Sequence, residues 1–123
     1  MIEEKVSKLN SYFEEQIAIC GRRNKELLDD ERTDEANFEK VKGNVYDIFR
    51  TILSVAVKTS QGDSNAVQHF FVQKAQQIPS SWVTSYDKAK QHNDVVKMQI
   101  EQIKLDAIGE IKEKFAKIWE GAE

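Results

Sequence analysis

The sequence predicts an all-α protein, an antiparallel helical bundle of three to four long helices in which the last helix is long and can be bent. Apolar residues recur every three or four positions through nearly the whole chain, which is the period of an amphipathic helix. Glycine is scarce and proline occurs once, at Pro79, whereas a β-sandwich or barrel needs a turn about every 8–12 residues. At 123 residues the chain fits a single helical-bundle domain, which we expect to span residues 1–123.

The first predicted helix begins at the N-terminus, and its apolar residues are Ile2, Val6, Leu9, Phe13, Ile17, Cys20, Leu27 and Leu28. The pattern lapses directly after Gly21. Because glycine weakens a helix interior, a bend or a weakened turn is one explanation. The alternative is that the helix extends past the end of its partner. The acidic segment 29–34 ends the pattern, and its Thr33 or Asp34 can cap the next helix.

The second predicted helix has a main apolar stripe of Phe38, Val41, Val45, Ile48, Ile52 and Val55, widened by Phe49, Leu53, Ala56 and Val57. From Val45 to Val57 it is apolar over more than half of its circumference. Such a segment lies at the centre of a bundle or contributes to an oligomer interface. The main stripe makes Ile52 an expected core residue.

The third predicted helix is short, with apolar residues Ala66, Val67, Phe70, Phe71, Ala75 and Ile78. Asp63 or Ser64 can cap it, and Pro79 closes it because the residue before proline is pushed out of the helical region. Since the turn at Pro79 is short, we expect this helix to lie antiparallel to the start of the next one. Trp82 and Tyr86 stand one turn apart there, which favours a structural corner over a DNA-reading helix.

The fourth predicted helix covers residues 81–120, with Ser80 or Ser81 as its cap. Its stripe, apolar except at Asn93, is Trp82, Tyr86, Ala89, Asn93, Val96, Ile100, Ile103, Ala107, Ile111, Phe115 and Ile118. An unbroken helix of this length would be about 57 Å long, longer than any other in the chain. It therefore either overhangs the bundle or bends near the polar residues 91–94.

No motif for catalysis, metal binding or nucleotide binding is present, so we expect no cofactor. Di-metal bundles use Glu-x-x-His, but Ala66 and Ala89 stand three residues before the two histidines. One cysteine, Cys20, excludes an intramolecular disulfide and the Cys/His zinc patterns. The glycines occur singly, which excludes a phosphate-binding loop.

Charge and hydropathy exclude further classes. The net charge is −3 and there is no run of Lys and Arg, so we expect neither nucleic acid nor an anionic membrane as partner. No stretch approaches the roughly 18 consecutive apolar residues of a membrane span, and the N-terminus has no secretory pattern. We therefore expect a cytoplasmic protein.

No feature of the sequence identifies the function directly. The surplus of apolar residues favours a small non-enzymatic helical protein–protein interaction module that binds a protein partner or a second copy of itself. Val95, Met98 and Leu105 lie off the main stripe of the fourth helix, and Trp119 is the aromatic residue expected to stay partly exposed. These four residues form the predicted interaction surface. The alternatives are a bundle that binds a small apolar ligand near Phe70, Phe71 and Trp82, and an enzyme whose site is assembled from separate helices.

Overall fold

The computed structural model describes residues 2–121, and in this part of the chain every residue lies in an α-helix or a short turn. The elements are α1 (Ile2–Asp29), α2 (Thr33–Ser60), α3 (Ser64–Gln77), α4 (Pro79–Gln91) and α5 (Val95–Trp119). The described residues contain no strand. The prediction of an all-α helical bundle is confirmed.

The first two helices form an antiparallel hairpin. α1 runs without interruption through Gly21, so the glycine does not end the helix. Past Gly21 the helix still contacts its partner, because the amide of Asn24 donates to the Ala36 carbonyl of α2 at 2.7 Å. The apolar pattern lapses there because a polar contact joins the helices at this end of the hairpin.

The turn between α1 and α2 differs from the predicted capping. Glu31 adopts a positive φ of 60°, and the Arg32 N–H donates to the Leu27 carbonyl at 2.8 Å. Arg32 therefore takes the N-cap position of α2, without a side-chain cap. The predicted caps at Thr33 and Asp34 are wrong, because both residues already lie inside the helix.

The chain does not reverse direction at Pro79. Ile78 has helical dihedral angles, φ −61° and ψ −45°, so α4 continues α3 with only a local interruption. Ser80 donates its hydroxyl to the Gln77 carbonyl at 2.7 Å, and Ser81 donates to the Ile78 carbonyl at 3.2 Å. These serines therefore stabilise carbonyls beside the proline instead of capping a new helix. The expected antiparallel pair at Pro79 is wrong.

Both α3 and α4 run antiparallel to α5. The Trp119 indole N–H donates to the Ser64 carbonyl at the start of α3, at 3.3 Å. The Lys104 ammonium lies 5.8 Å from the ring centre of Trp82 in α4. Residues early in α5 therefore contact residues late in the α3–α4 segment, which is the antiparallel arrangement. Together, α3 and α4 occupy one position of a four-helix bundle.

The predicted long helix is two helices joined by a tight turn. Asn93 has a positive φ of 56°, and the Asp94 carboxylate accepts from the Lys97 N–H at 3.1 Å. In a continuous helix Trp82 and Lys104 would be about 33 Å apart, yet their side chains are in contact. The segment 91–94 thus produces a full reversal, because asparagine tolerates the left-handed region and aspartate is a favourable N-cap.

The core selects a different face of α2 from the predicted one. Phe49, Leu53 and Ala56, which were predicted only to widen the stripe, are fully buried, together with Val45. Ile52 packs against the core but is only partly buried. Two other members of the predicted stripe, Ile48 and Val55, are exposed. Because α2 is apolar on several sides, the spacing of its apolar residues does not determine which face is buried. The helices that pack against α2 determine that face.

Candidate interaction surface

The four residues predicted as an interaction surface do not lie together. Val95 is 61% exposed at the start of α5, and Met98 is partly buried one turn later. Leu105 is partly buried and packs against the core. Trp119 lies 24 positions beyond Val95, which along a helix is about 36 Å. That Val95 and Met98 bind a partner stays a prediction.

The expectation that Trp119 stays partly exposed is wrong, since the residue is 6% exposed. Its ring stacks on Phe115, with centroids 4.8 Å apart, and its N–H donates to the start of α3. The Lys5 ammonium lies 5.5 Å from the ring centre and donates to the Trp119 carbonyl. Proximity to the C-terminus therefore did not expose the residue, because α1 and α3 both cover it.

A segment without carboxylates lies next to α5. From Ser64 to Tyr86 the sequence contains no aspartate or glutamate, and Lys74 is its only lysine or arginine. In the chain as a whole, 32% of residues are charged, so this interruption is unusual. The exposed residues of α3 are mostly uncharged amides. Depletion of charge is a feature of the centres of protein interfaces.

An apolar groove of about 240 Å³ lies between α3 and α5. Its floor consists of Phe71, Ala75 and Phe115, all at least 97% buried. Its rim consists of six exposed residues, which we call the α3–α5 face: Gln68, Val72 and Gln76 of α3 and Lys112, Ala116 and Glu120 of α5. The face therefore combines an apolar centre with two opposite charges.

The floor of this groove belongs to a cluster of aromatic rings. Phe71 and Phe115 are stacked, with centroids 4.2 Å apart and planes 7° from parallel. On its other sides Phe71 meets Phe49 at 5.8 Å and Phe13 at 6.5 Å. Because these neighbours fix both rings, the groove has a rigid base.

A second groove lies on the opposite side of α3, against α2. It has a volume of about 470 Å³, and its apolar lining consists of Ile52, Val55, Phe70 and Ile78. Lys74 is the only charged residue in this lining, and its ammonium lies 5.5 Å from the centre of the Phe70 ring. α3 is therefore flanked by an apolar groove on each side. The groove against α5 has one cation and one anion in its lining, whereas the groove against α2 has one cation and no anion.

The ionisable side chains that lie within the bundle include Tyr46, Cys20 and Glu101. The Tyr46 hydroxyl is fully buried and donates to Glu110 at 2.6 Å, and burial followed by this hydrogen bond raises the pKa of Tyr46 above 10.0. Burial also raises the pKa of the Cys20 thiol, which disfavours the reactive thiolate. Glu101 is buried, with the Lys104 ammonium 3.0 Å from one of its carboxylate oxygens.

Residues 2–121 lack two features that define other classes of protein. No group of three or more His, Cys, Asp or Glu side chains in this range is placed to hold a metal ion. No helix within the same range is long and apolar enough to cross a membrane.

No protein-family model, curated protein or solved structure matches this chain. The function proposed below is therefore inferred from the fold and from the chemistry of the surface.

The α3–α5 face was missed by the sequence reasoning. Its residues come from two helices about 40 positions apart in the chain, and no local pattern connects them. One signal was available, namely the interval between Asp63 and Asp87 that contains no acidic residue.

Proposed function

We propose that this chain is a non-enzymatic helical interaction module that associates with a second copy of itself through the α3–α5 face. The observation that carries the proposal is the apolar groove with its buried aromatic floor, opened to the surface by a rim with one cation and one anion. A concave apolar site of this kind favours an interaction function over a plain solvated face.

A second copy is the occupant that fits the charges of the face. The α3 half of the rim is uncharged, and Lys112 and Glu120 on the α5 half balance each other. A face without net charge does not repel its own copy, whereas the groove against α2 contains Lys74 without a carboxylate. Glutamine amides both donate and accept hydrogen bonds, so they can pair with the same residues of another copy.

Sedimentation equilibrium up to tens of micromolar and above tests this proposal. We expect the mass to rise from the 14.2 kDa monomer towards twice that value. Val72→Glu would place a carboxylate in the centre of the face and should return the protein to a monomer. Because Val72 is 39% exposed, its far-UV circular dichroism spectrum should stay helical.

Val95→Glu is the matched control, since Val95 is more exposed and lies outside the α3–α5 face. It should leave the dimer intact. A wild-type chain that stays monomeric throughout would overturn the proposal. Dissociation by Val95→Glu but not by Val72→Glu would instead locate the interface at the start of α5, as predicted from the sequence.

A second candidate function is the binding of a small apolar ligand in the same groove. Its volume of about 240 Å³ exceeds that of apolar cavities of about 150 Å³ that bind benzene. Native mass spectrometry of the purified protein tests this candidate. A retained mass that Ala116→Phe abolishes would support it, and the bare monomer or dimer mass would count against it.

We also propose a cytosolic location. Cys20 is buried and free, and unpaired thiols are usual in reducing compartments.

A further inference from the structure

The six residues of the α3–α5 face form two rows with the same spacing. Gln68, Val72 and Gln76 are four positions apart on α3, and Lys112, Ala116 and Glu120 are four positions apart on α5. This spacing puts each row along one side of its helix, and all six residues line one groove. Each row has an uncharged small or apolar residue in the middle and polar residues at both ends.

The two rows run in opposite directions at matching heights. Trp119 contacts Ser64 and Phe115 stacks on Phe71, so residues later in α5 lie beside residues earlier in α3. Glu120 therefore lies at the end of the groove occupied by Gln68, and Ala116 lies beside Val72.

The two charges of the face have no ion-pair partner among residues 2–121. Lys112 and Glu120 are eight positions apart, about 12 Å along the helix, which is too far for them to pair with each other. By contrast, Lys117 and Glu113 of the same helix form an ion pair at 3.4 Å. The face thus presents a cation and an anion at opposite ends of an apolar centre.

We propose that two copies of the chain pack through this face about a two-fold axis that crosses α3 at Val72 and α5 at Ala116. This inference rests on the proposed self-association and specifies its geometry. The rotation sets α5 antiparallel to the α5 of the partner subunit. Lys112 then faces the partner subunit's Glu120, and the symmetric pair forms at the other end.

The remaining residues of the face fit the same axis. Gln68 faces the partner subunit's Gln76, and the two amides can exchange hydrogen bonds. Ala116 has the smallest side chain of the face and lies on the axis, so the two α5 helices can approach closely. A two-fold axis parallel to the helices would instead set α5 against the partner's α3, and both charges would face glutamines.

Charge reversal tests this geometry, with sedimentation equilibrium as the measurement. In a Lys112→Glu dimer, the new carboxylate faces the partner subunit's Glu120, and this repulsive contact forms at both ends of the interface. In a Glu120→Lys dimer, two cations face each other at both ends in the same way. Each variant alone should raise the dimer Kd by on the order of tenfold, because two attractive pairs become repulsive. An equimolar mixture of the two variants should form a heterodimer with a Kd close to the wild-type value, since opposite charges then face each other at both ends.

Lys117→Glu is the matched control, because it makes the same charge change outside the groove. It should leave the Kd within about twofold of the wild type. The effect of the single reversals should also shrink at high salt, which screens exposed charges.

The outcomes separate this inference from the proposed function. A wild-type chain that remains a monomer overturns both. A wild-type dimer that Val72→Glu dissociates, but that neither charge reversal weakens, overturns the two-fold geometry and leaves self-association through the face intact. A mixture that fails to recover the wild-type Kd, although each variant alone is weakened, also overturns the geometry.

Discussion

Phe70 and Phe71 are adjacent in the sequence but differ in their surroundings, so the same substitution at each position tests the placement of the core. Phe71 is 1% exposed, and three other phenylalanine rings surround it. Phe70 is partly exposed and lines the groove between α2 and α3. Both residues belong to the apolar residues of the third predicted helix, and the apolar period alone does not distinguish them.

The structure supports a different magnitude at each position. Substitution of a buried phenylalanine by alanine costs about 3–5 kcal/mol, and aromatic pairs contribute about 0.5–1.5 kcal/mol each beyond their buried area. Phe71→Ala should therefore fall near the upper end, at about 4–5 kcal/mol. Phe70→Ala removes a ring that is only partly buried and should cost about 1–2 kcal/mol.

Urea unfolding followed by circular dichroism at one protein concentration measures both values. With a slope of about 1.5 kcal/mol per molar, the midpoint should fall by roughly 3 M for Phe71→Ala and by roughly 1 M for Phe70→Ala. If Phe71→Ala does not fold, Phe71→Leu should still lower the midpoint measurably. Equal losses at the two positions, or a larger loss at Phe70, would refute the assignment of the core.

Three further predictions concern the hairpin of α1 and α2. Gly21→Ala should stabilise the protein by up to about 1 kcal/mol in urea unfolding, because a Cβ there meets nothing within 4 Å and alanine favours the helix. Gly43→Ala should lack this gain, since its Cβ would lie 3.2 Å from that of Cys20. The Cys20 thiol should react with a disulfide reagent only after unfolding, since it is 3% exposed; rapid labelling of the native protein would contradict its burial. Tyr46→Phe should cost about 1–2 kcal/mol near neutral pH through loss of the bond to Glu110. Because the folded pKa of Tyr46 is raised above 10.0, its contribution is fully present below pH 10 and declines as the unfolded chain ionises at higher pH. The difference between wild type and Tyr46→Phe should therefore shrink above about pH 10, and a constant difference would be evidence against this raised pKa.

The surface could be predicted from the sequence only in part. A surplus of apolar residues on the second helix was visible, and the structure does expose Ile48 and Val55 there. The residues predicted as one interaction surface on α5 do not form a continuous patch, because Trp119 is covered by α1 and α3. The α3–α5 face was out of reach, since the pairing of Val72 with Ala116 depends on how two distant helices pack.

The sequence by itself determined the helical class and the ends of several helices. Both depend on local physics: the three-to-four apolar period forms a helix face, and Asp63 accepts hydrogen bonds from the N–H groups of Asn65 and Ala66 wherever the helix lies. Tertiary structure decided the path of the chain at Pro79 and at 91–94, because Pro79 disfavours a continuing helix without forbidding it and Asn93 permits a left-handed turn without requiring it. It also decided which side of α2 is buried. That choice depends on the helices that pack against it, and their positions follow from contacts between residues far apart in the chain.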